Sequence, residues 1–286
     1  MIHTISKGNY SAQISELGAE LKSFKNKNTE YMWDGNPDIW SGTAPVLFPI
    51  VGKLKNYEYY YDGKTYKMDQ HGFARKQMFD VYEKKKEAIS FILRSSDETK
   101  QIYPFDFELI IIFEIDNDIL TVSYYVLNIG SNSMLFTIGS HPAFALQTKS
   151  CKLSDYYIEF DKKETTDCYR VDDGLLLNNT IPQFMNNEKI ITLSNSIFDA
   201  DALVFKNILS NLITIKNKVT GYNLSVKTGG APHLGIWSKP GASYVCIEPW
   251  FGFADAVNTN GDLTQKEGMI RLEPEKRFIT GYQIIV

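Results

Sequence analysis

Short apolar segments, and segments that alternate apolar with polar residues, recur along the whole chain and are closed by turn residues. No stretch carries the 3.6-residue periodicity of a four-turn helix, so the pattern predicts an all-β chain of antiparallel strands. The strongest local signal is Asp62-Gly63, set between Tyr57-Glu58-Tyr59-Tyr60-Tyr61 and Lys64-Thr65-Tyr66-Lys67-Met68. Both turn residues tolerate positive φ and so close a two-residue hairpin. Two more hairpins are predicted where 107–115 and 119–127 flank Asp116-Asn117-Asp118, and where 212–216 and 222–227 flank Val219-Thr220-Gly221. The run from Arg277 to Val286 reads as a strand tied into a sheet. Short helical turns are expected at Pro37 to Trp40 and at Glu98 to Tyr103. The polar stretches Leu175 to Asn187 and Ala254 to Glu267 read as long loops, of a length that often serves as a lid or rim.

No repeat of fixed period is present, which argues against a propeller or solenoid. With 286 residues, 43% of them hydrophobic, and no shift of composition, one domain over 1–286 is expected. The longest apolar run, Leu109 to Phe113, is far short of a membrane span. Met1-Ile2-His3-Thr4-Ile5-Ser6-Lys7 lacks the basic start and apolar core of a secretion signal, so the cytoplasm is the expected location. Cys151, Cys168 and Cys246 form no Cys-x-x-Cys pair and read as reduced thiols, not as a disulfide framework or a zinc site. The net charge of -4 is interspersed, and the longest basic run, Lys84-Lys85-Lys86, has acids on both sides. Nucleic acid and membrane are therefore not expected partners. The chain is expected to work as a monomer or homodimer.

Chemistry narrows to a few positions. Two of the four histidines stand in unusual contexts, His71-Gly72-Phe73-Ala74-Arg75 and Gly139-Ser140-His141-Pro142-Ala143-Phe144. His141 follows the apolar strand Met134 to Ile138, and a residue before proline is driven towards extended geometry, so its imidazole projects from a strand end. Glu248 closes Tyr244-Val245-Cys246-Ile247, where alternation puts Val245 and Ile247 on one face and Cys246 and Glu248 on the other. A carboxylate framed by Ile247, Pro249 and Trp250 is either a satisfied structural acid or a tuned base, and His141 is open to the same two readings.

Taken together, these motifs resemble the aldose 1-epimerases (galactose mutarotases), especially their LacX-like bacterial branch. The resemblance spans nearly the whole chain. It rests on Gly18-Ala19-Glu20-Leu21, Leu47-Phe48-Pro49-Ile50-Val51-Gly52, the His71 and His141 segments, and Cys246-Ile247-Glu248-Pro249-Trp250. It implies a β-supersandwich with an open sugar pocket, a small-molecule sugar as substrate, and no metal, nucleotide or other cofactor. It places the general acid on His141, the general base on Glu248, a sugar-oxygen ligand on His71 and a hydroxyl-binding acid on Asp201. Where relatives usually carry arginine this chain has Lys53, which keeps the charge but loses the planar fork, leaving Arg75 as a substitute. Trp237 and Trp250 are candidates to stack on a sugar face.

Two rival readings remain open on the residues. A glycoside hydrolase would pair Glu248 with Asp201 as its second carboxylate. A sugar-binding or sensing protein would use the same pocket without turnover. A phosphorylated sugar would look to Lys53, Arg75 and Lys76 for charge, although no glycine-rich phosphate cradle is present.

Overall fold

The structure, a computed structural model, describes residues 1–146 and 151–286. The chain is mostly β, in large antiparallel sheets. A 15-stranded sheet carries most of it. Its main path runs Val46–Leu47, Ile138–Ser140, Tyr244–Phe251, His233–Trp237, Leu203–Lys206, Tyr156–Asp172, Leu212–Asn217, Asn223–Lys227, Arg277–Ile285, Ile119–Asn128, Phe107–Asp116, Ala88–Arg94 and Asp80–Lys84, and off this path Ala143–Ala145 pairs with Tyr244–Phe251 and Leu175–Thr192 with Tyr156–Asp172. A four-stranded sheet of Ile2–Lys7, Tyr10–Ser15, Glu20–Asn26 and Thr29–Glu30 packs across the far end.

The three predicted hairpins form with the expected partners, Tyr60 facing Thr65, Ile112 facing Ser123, and Thr214 facing Ser225. Arg277–Ile285 pairs on both sides, with Ile119–Asn128 and Asn223–Lys227. Asp97–Ile102 is a short α-helix opened by a capping box, in which Ser96 Oγ accepts from the Thr99 amide while Thr99 Oγ1 accepts from the Ser96 amide. At the other expected turn, the Ile39 and Trp40 amides both donate to the Asn36 carbonyl.

One expectation is overturned. Leu175 to Asn187 is not a loop but part of an 18-residue strand, Leu175–Thr192, antiparallel to Tyr156–Asp172. Beyond Phe160, where Tyr156–Asp172 leaves Leu212–Asn217, the two strands continue as a ribbon, and only Leu176, Met185 and Ile191 of Leu175–Thr192 are buried. A strand solvated on both faces has no apolar alternation to read, and its pairing comes from backbone hydrogen bonds. Ala254 to Glu267, by contrast, is irregular apart from a 3₁₀ turn at Leu263–Gln265.

The main sheet is buried on both faces where the candidate residues lie. Leu203 and Phe205, Leu234 and Ile236, and Val245 and Ile247 enter the large core that the sandwich encloses. The intervening residues Val204, Trp237, Cys246 and Trp250 join two smaller apolar clusters on the other face. Since Ile247 is fully buried, Ile247→Ala should lower unfolding stability in urea by about 2–5 kcal/mol. Ile279→Ala, at a half-exposed position of the same sheet, should change it by no more than about 0.5 kcal/mol.

Candidate functional site

Alternation along adjacent strands builds the site. Cross-strand register sets Val204 beside Gly235 and Gly235 beside Glu248, and in a parallel row Gly139 beside Trp250 and Trp250 beside His233. These residues share the sheet face that points away from the large core. Gly139 and Gly235 flank the Trp250 indole so closely that a Cβ on either would come within 2.6 Å and 2.5 Å of its ring. The two glycines therefore let a tryptophan lie flat on the sheet as the floor of a cavity of about 320 Å³.

Glu248 and His141 meet in this cavity. His141 follows the strand Ile138–Ser140, and its amide donates to the Pro45 carbonyl. The predicted strand Met134 to Ile138 is two short strands, Met134–Phe136 and Ile138–Ser140, which pair with different partners. His141 Nε2 lies 3.3 Å from Glu248 Oε2, and both side chains are at most a tenth exposed. Burial pushes the Glu248 carboxyl well above its usual 4.5, and the negative charge of Asp201 adds to the shift. Burial pushes His141 down to about 3, helped by the positive charge of Arg75. Each shift favours the uncharged form, so the pair holds one proton without forming an ion pair.

His71 also lines the cavity, edge-on to His141 at 5.7 Å between ring centres. Its backbone lies at φ 65°, and its Nδ1 accepts from the Gly52 amide. The next residue must be glycine, because at φ 70° a Cβ on Gly72 would come within 2.2 Å of the Phe48 carbonyl oxygen. Burial holds the His71 imidazole well below its usual value, so the ring is neutral and carries its hydrogen on Nε2 as a donor. Arg75 donates from one terminal nitrogen to the Gln70 carbonyl. Asp201, at φ 76°, stands at the exposed rim and accepts from the Ala202 amide. Trp237 completes one wall.

Lys53 is placed differently from a sugar ligand. Its ammonium donates to the Asp173 carboxylate at 2.6 Å and to the Asp173 carbonyl at 2.8 Å, and it lies over the Tyr57 ring. Asp173 and Gly174 form the tip of the long ribbon, and Gly174 and Leu176 wall the cavity. Lys53 thus ties the ribbon tip over the site. Lys76 is paired with Asp69 at the surface. Of the three cations considered for a phosphate, only Arg75 faces the cavity.

Trp40 and Phe253 also line the cavity, and neither was among the candidate residues. Trp40 stacks on His141 at 4.9 Å and closes it in from the Trp237 side. Its only signal was the scarcity of tryptophan, since a turn hides which wall a side chain joins. Among the described residues, one group of possible metal donors converges: His141, Cys246 and Glu248, with ligand atoms within 4.8 Å of one another. Burial holds the Cys246 thiol well above its usual value and therefore protonated, so a metal there would first have to displace a proton.

Six buried side-chain polar atoms lack a hydrogen-bond partner among the described residues. Four of them belong to cavity residues: Arg75 Nε, His141 Nδ1, Glu248 Oε2 and Trp250 Nε1. Orphaned buried polar groups are costly, and clustered in one cavity they mark a site for a polar ligand.

Comparison with known proteins gives relatives for the whole chain. The sequence profile described as Aldose 1-epimerase matches residues 1–278. The plasmid-encoded protein LacX of Lactococcus lactis subsp. lactis is 29% identical over 287 residues, covering 96% of each chain. A galactose mutarotase related enzyme from Lactobacillus acidophilus superposes with a TM-score of 0.95 at 38% identity, over 100% of this chain and 97% of that one. A galactose mutarotase-like protein from Lactobacillus casei ATCC 334 gives 0.93 at 28% identity, over 100% and 99%. With the profile covering nearly the whole sequence, the chain belongs to the aldose 1-epimerase family.

Proposed function

We propose that this protein interconverts the α and β anomers of an aldose by acid–base ring opening, with Glu248 and His141 as the proton carriers. The observation that carries the reading is the pair itself: a buried carboxyl and a buried imidazole 3.3 Å apart, with Glu248 Oε2 and His141 Nδ1 lacking hydrogen-bond partners. Anomer exchange breaks the O1–H bond and the bond from C1 to the ring oxygen, and makes a C1 carbonyl and a ring-oxygen hydroxyl. One proton leaves the sugar and one arrives, so the pair's total is unchanged. Glu248 takes the O1 proton and His141 protonates the ring oxygen. Rotation about C1–C2 and the reverse transfers then close the other anomer.

The neutral form of the empty pair has the same proton count as Glu248 carboxylate with His141 imidazolium. Moving the proton from one to the other arms both groups without exchange with solvent. Burial favours the neutral form, and sugar hydroxyls in place of water supply the dipoles that stabilise the charged one. His71 donates from Nε2 to a sugar oxygen, Arg75 and Asp201 bind hydroxyls, and Trp237 and Trp250 offer ring faces. Lys53 acts on the substrate indirectly, by holding the ribbon tip closed.

Three results are expected. Glu248→Gln and His141→Asn should each lower catalysed anomer exchange, followed by saturation-transfer NMR, by roughly a hundred- to ten-thousand-fold while circular dichroism stays native. Full rates in both variants would dismiss the pair. With His141 held at about 3 and Glu248 raised, the one-proton form spans both ordinary values, so kcat/KM at pH 4.5 should match that at pH 5.5. A half-fall at 4.5 in a still-folded enzyme would mean an ordinary carboxylate. Lys53→Met should raise KM several-fold with little change in kcat, because the ribbon tip positions a wall and touches no reacting atom.

A further inference from the structure

A second cavity, also of about 320 Å³, adjoins the first across Leu176, Phe253 and Ala254, which line both. We propose that it is a subsite for a neutral glycosyl residue, so that the sugar taken is the reducing end of a 1→4- or 1→6-linked disaccharide. This rests on the ring-opening reading for the direction in which the sugar lies.

That direction follows from the two ends of the first cavity. Glu248 and His141 lie towards Trp40 and Trp237, at the end backed by the cluster of Trp33, Tyr244 and Cys246. The second cavity opens at the other end, backed by Leu176, Phe253 and Ala254. Ring opening requires a free O1 at the proton-transfer pair. The positions of a pyranose farthest from C1 are C4 and the C6 arm, so a substituent that reaches the second cavity is attached there.

The walls say what kind of substituent fits. Lys206 is only 10% exposed at its side chain, and its ammonium lies 3.8 Å over the Phe253 ring and 4.5 Å over Tyr169. Both oxygens of Glu267 accept from it, at 2.9 and 3.0 Å. The Lys266 side chain is buried, donating to the Asp255 carboxylate and to the Phe253 carbonyl. Both cations are already neutralised, and a phosphate would have to displace a carboxylate to use either. What stays available is suited to a sugar: the half-buried Leu177 and Tyr169 side chains, and the side-chain amides of Asn178 and Asn258, which make no hydrogen bond within the described residues. Apolar surface and amides together match the apolar faces and hydroxyls of a pyranose.

The test measures binding and turnover separately on the full chain. NMR titration gives Kd for galactose, glucose, lactose, cellobiose, maltose, melibiose and galactose 6-phosphate, and saturation transfer gives anomer exchange. At least one disaccharide should bind about tenfold more tightly than its own reducing hexose. The double variant Asn178→Ala/Asn258→Ala, at two exposed rim positions, should remove most of that advantage. If no disaccharide beats its hexose, or the advantage survives the double variant, the subsite is refuted. Tighter binding of galactose 6-phosphate than of every disaccharide would overturn it in favour of an anionic ligand. Disaccharide preference without exchange would sink the epimerase reading and leave the subsite standing. Exchange on free hexoses without disaccharide preference would do the opposite.

Discussion

The strand Tyr244–Phe251 is buried on both faces, and the rest of the site depends on that constraint. Val245 and Ile247 lock one face into the core, so the residues between them have no freedom to turn towards solvent. Glu248 must therefore enter the opposite face with 1% of its surface exposed. A carboxylate in such a place is unstable unless it is paired or protonated. The structure meets the difficulty with a neighbour that is itself desolvated, His141, and with a single proton for the two of them. Rigid burial on one side of a sheet thus sets a carboxyl beside an imidazole on the other.

Excluding water from the pair takes material that the sheet alone does not supply. The ribbon tip at Asp173 and Gly174 comes over the cavity and is held by Lys53, while backbone hydrogen bonds link Leu176 to Asp255 and Val257. Trp40 covers His141 from the other side. These contacts join segments far apart in sequence, so the water-excluding walls form only once the sheet has assembled. The irregular segment after Phe251 serves twice, since Phe253 and Ala254 wall both cavities.

This division explains what was legible in the sequence. Turn chemistry is local, so Asp62-Gly63 and the hairpin around Asp116-Asn117-Asp118 could be read directly. Alternation is also local, and it separated Ile247 from Glu248 correctly. It failed for Leu175–Thr192, because a ribbon wet on both faces leaves no apolar period. The residues His71, Arg75, His141, Asp201, Trp237 and Glu248 do converge on one cavity, though family resemblance, not periodicity, singled out most of them. Lys53 shows the limit of motif reasoning: its place in the motif suggested a substrate grip, whereas its contact is with Asp173, 120 residues away. Nothing short of the fold announces that partner. Trp40 and the second cavity were hidden for the same reason.

The pair's proton count also bears on how the fold tolerates pH. In the unfolded chain Glu248 releases its proton above 4.5 and His141 gains one below 6.5. Between those values the unfolded pair holds one proton in total, as the folded pair does, and the two contributions to pH dependence cancel. Below 4.5 the unfolded chain holds two protons against one, so acid favours unfolding until His141 titrates at about 3 in the folded state. Above 6.5 it holds none against one, so stability falls as pH rises towards the raised value of Glu248. Two oppositely shifted groups therefore confine the pH dependence of their joint penalty to the edges of the range. A buried carboxyl facing a leucine would have made stability fall with rising pH from 4.5 upward, whereas beside the imidazole the fall begins only above 6.5.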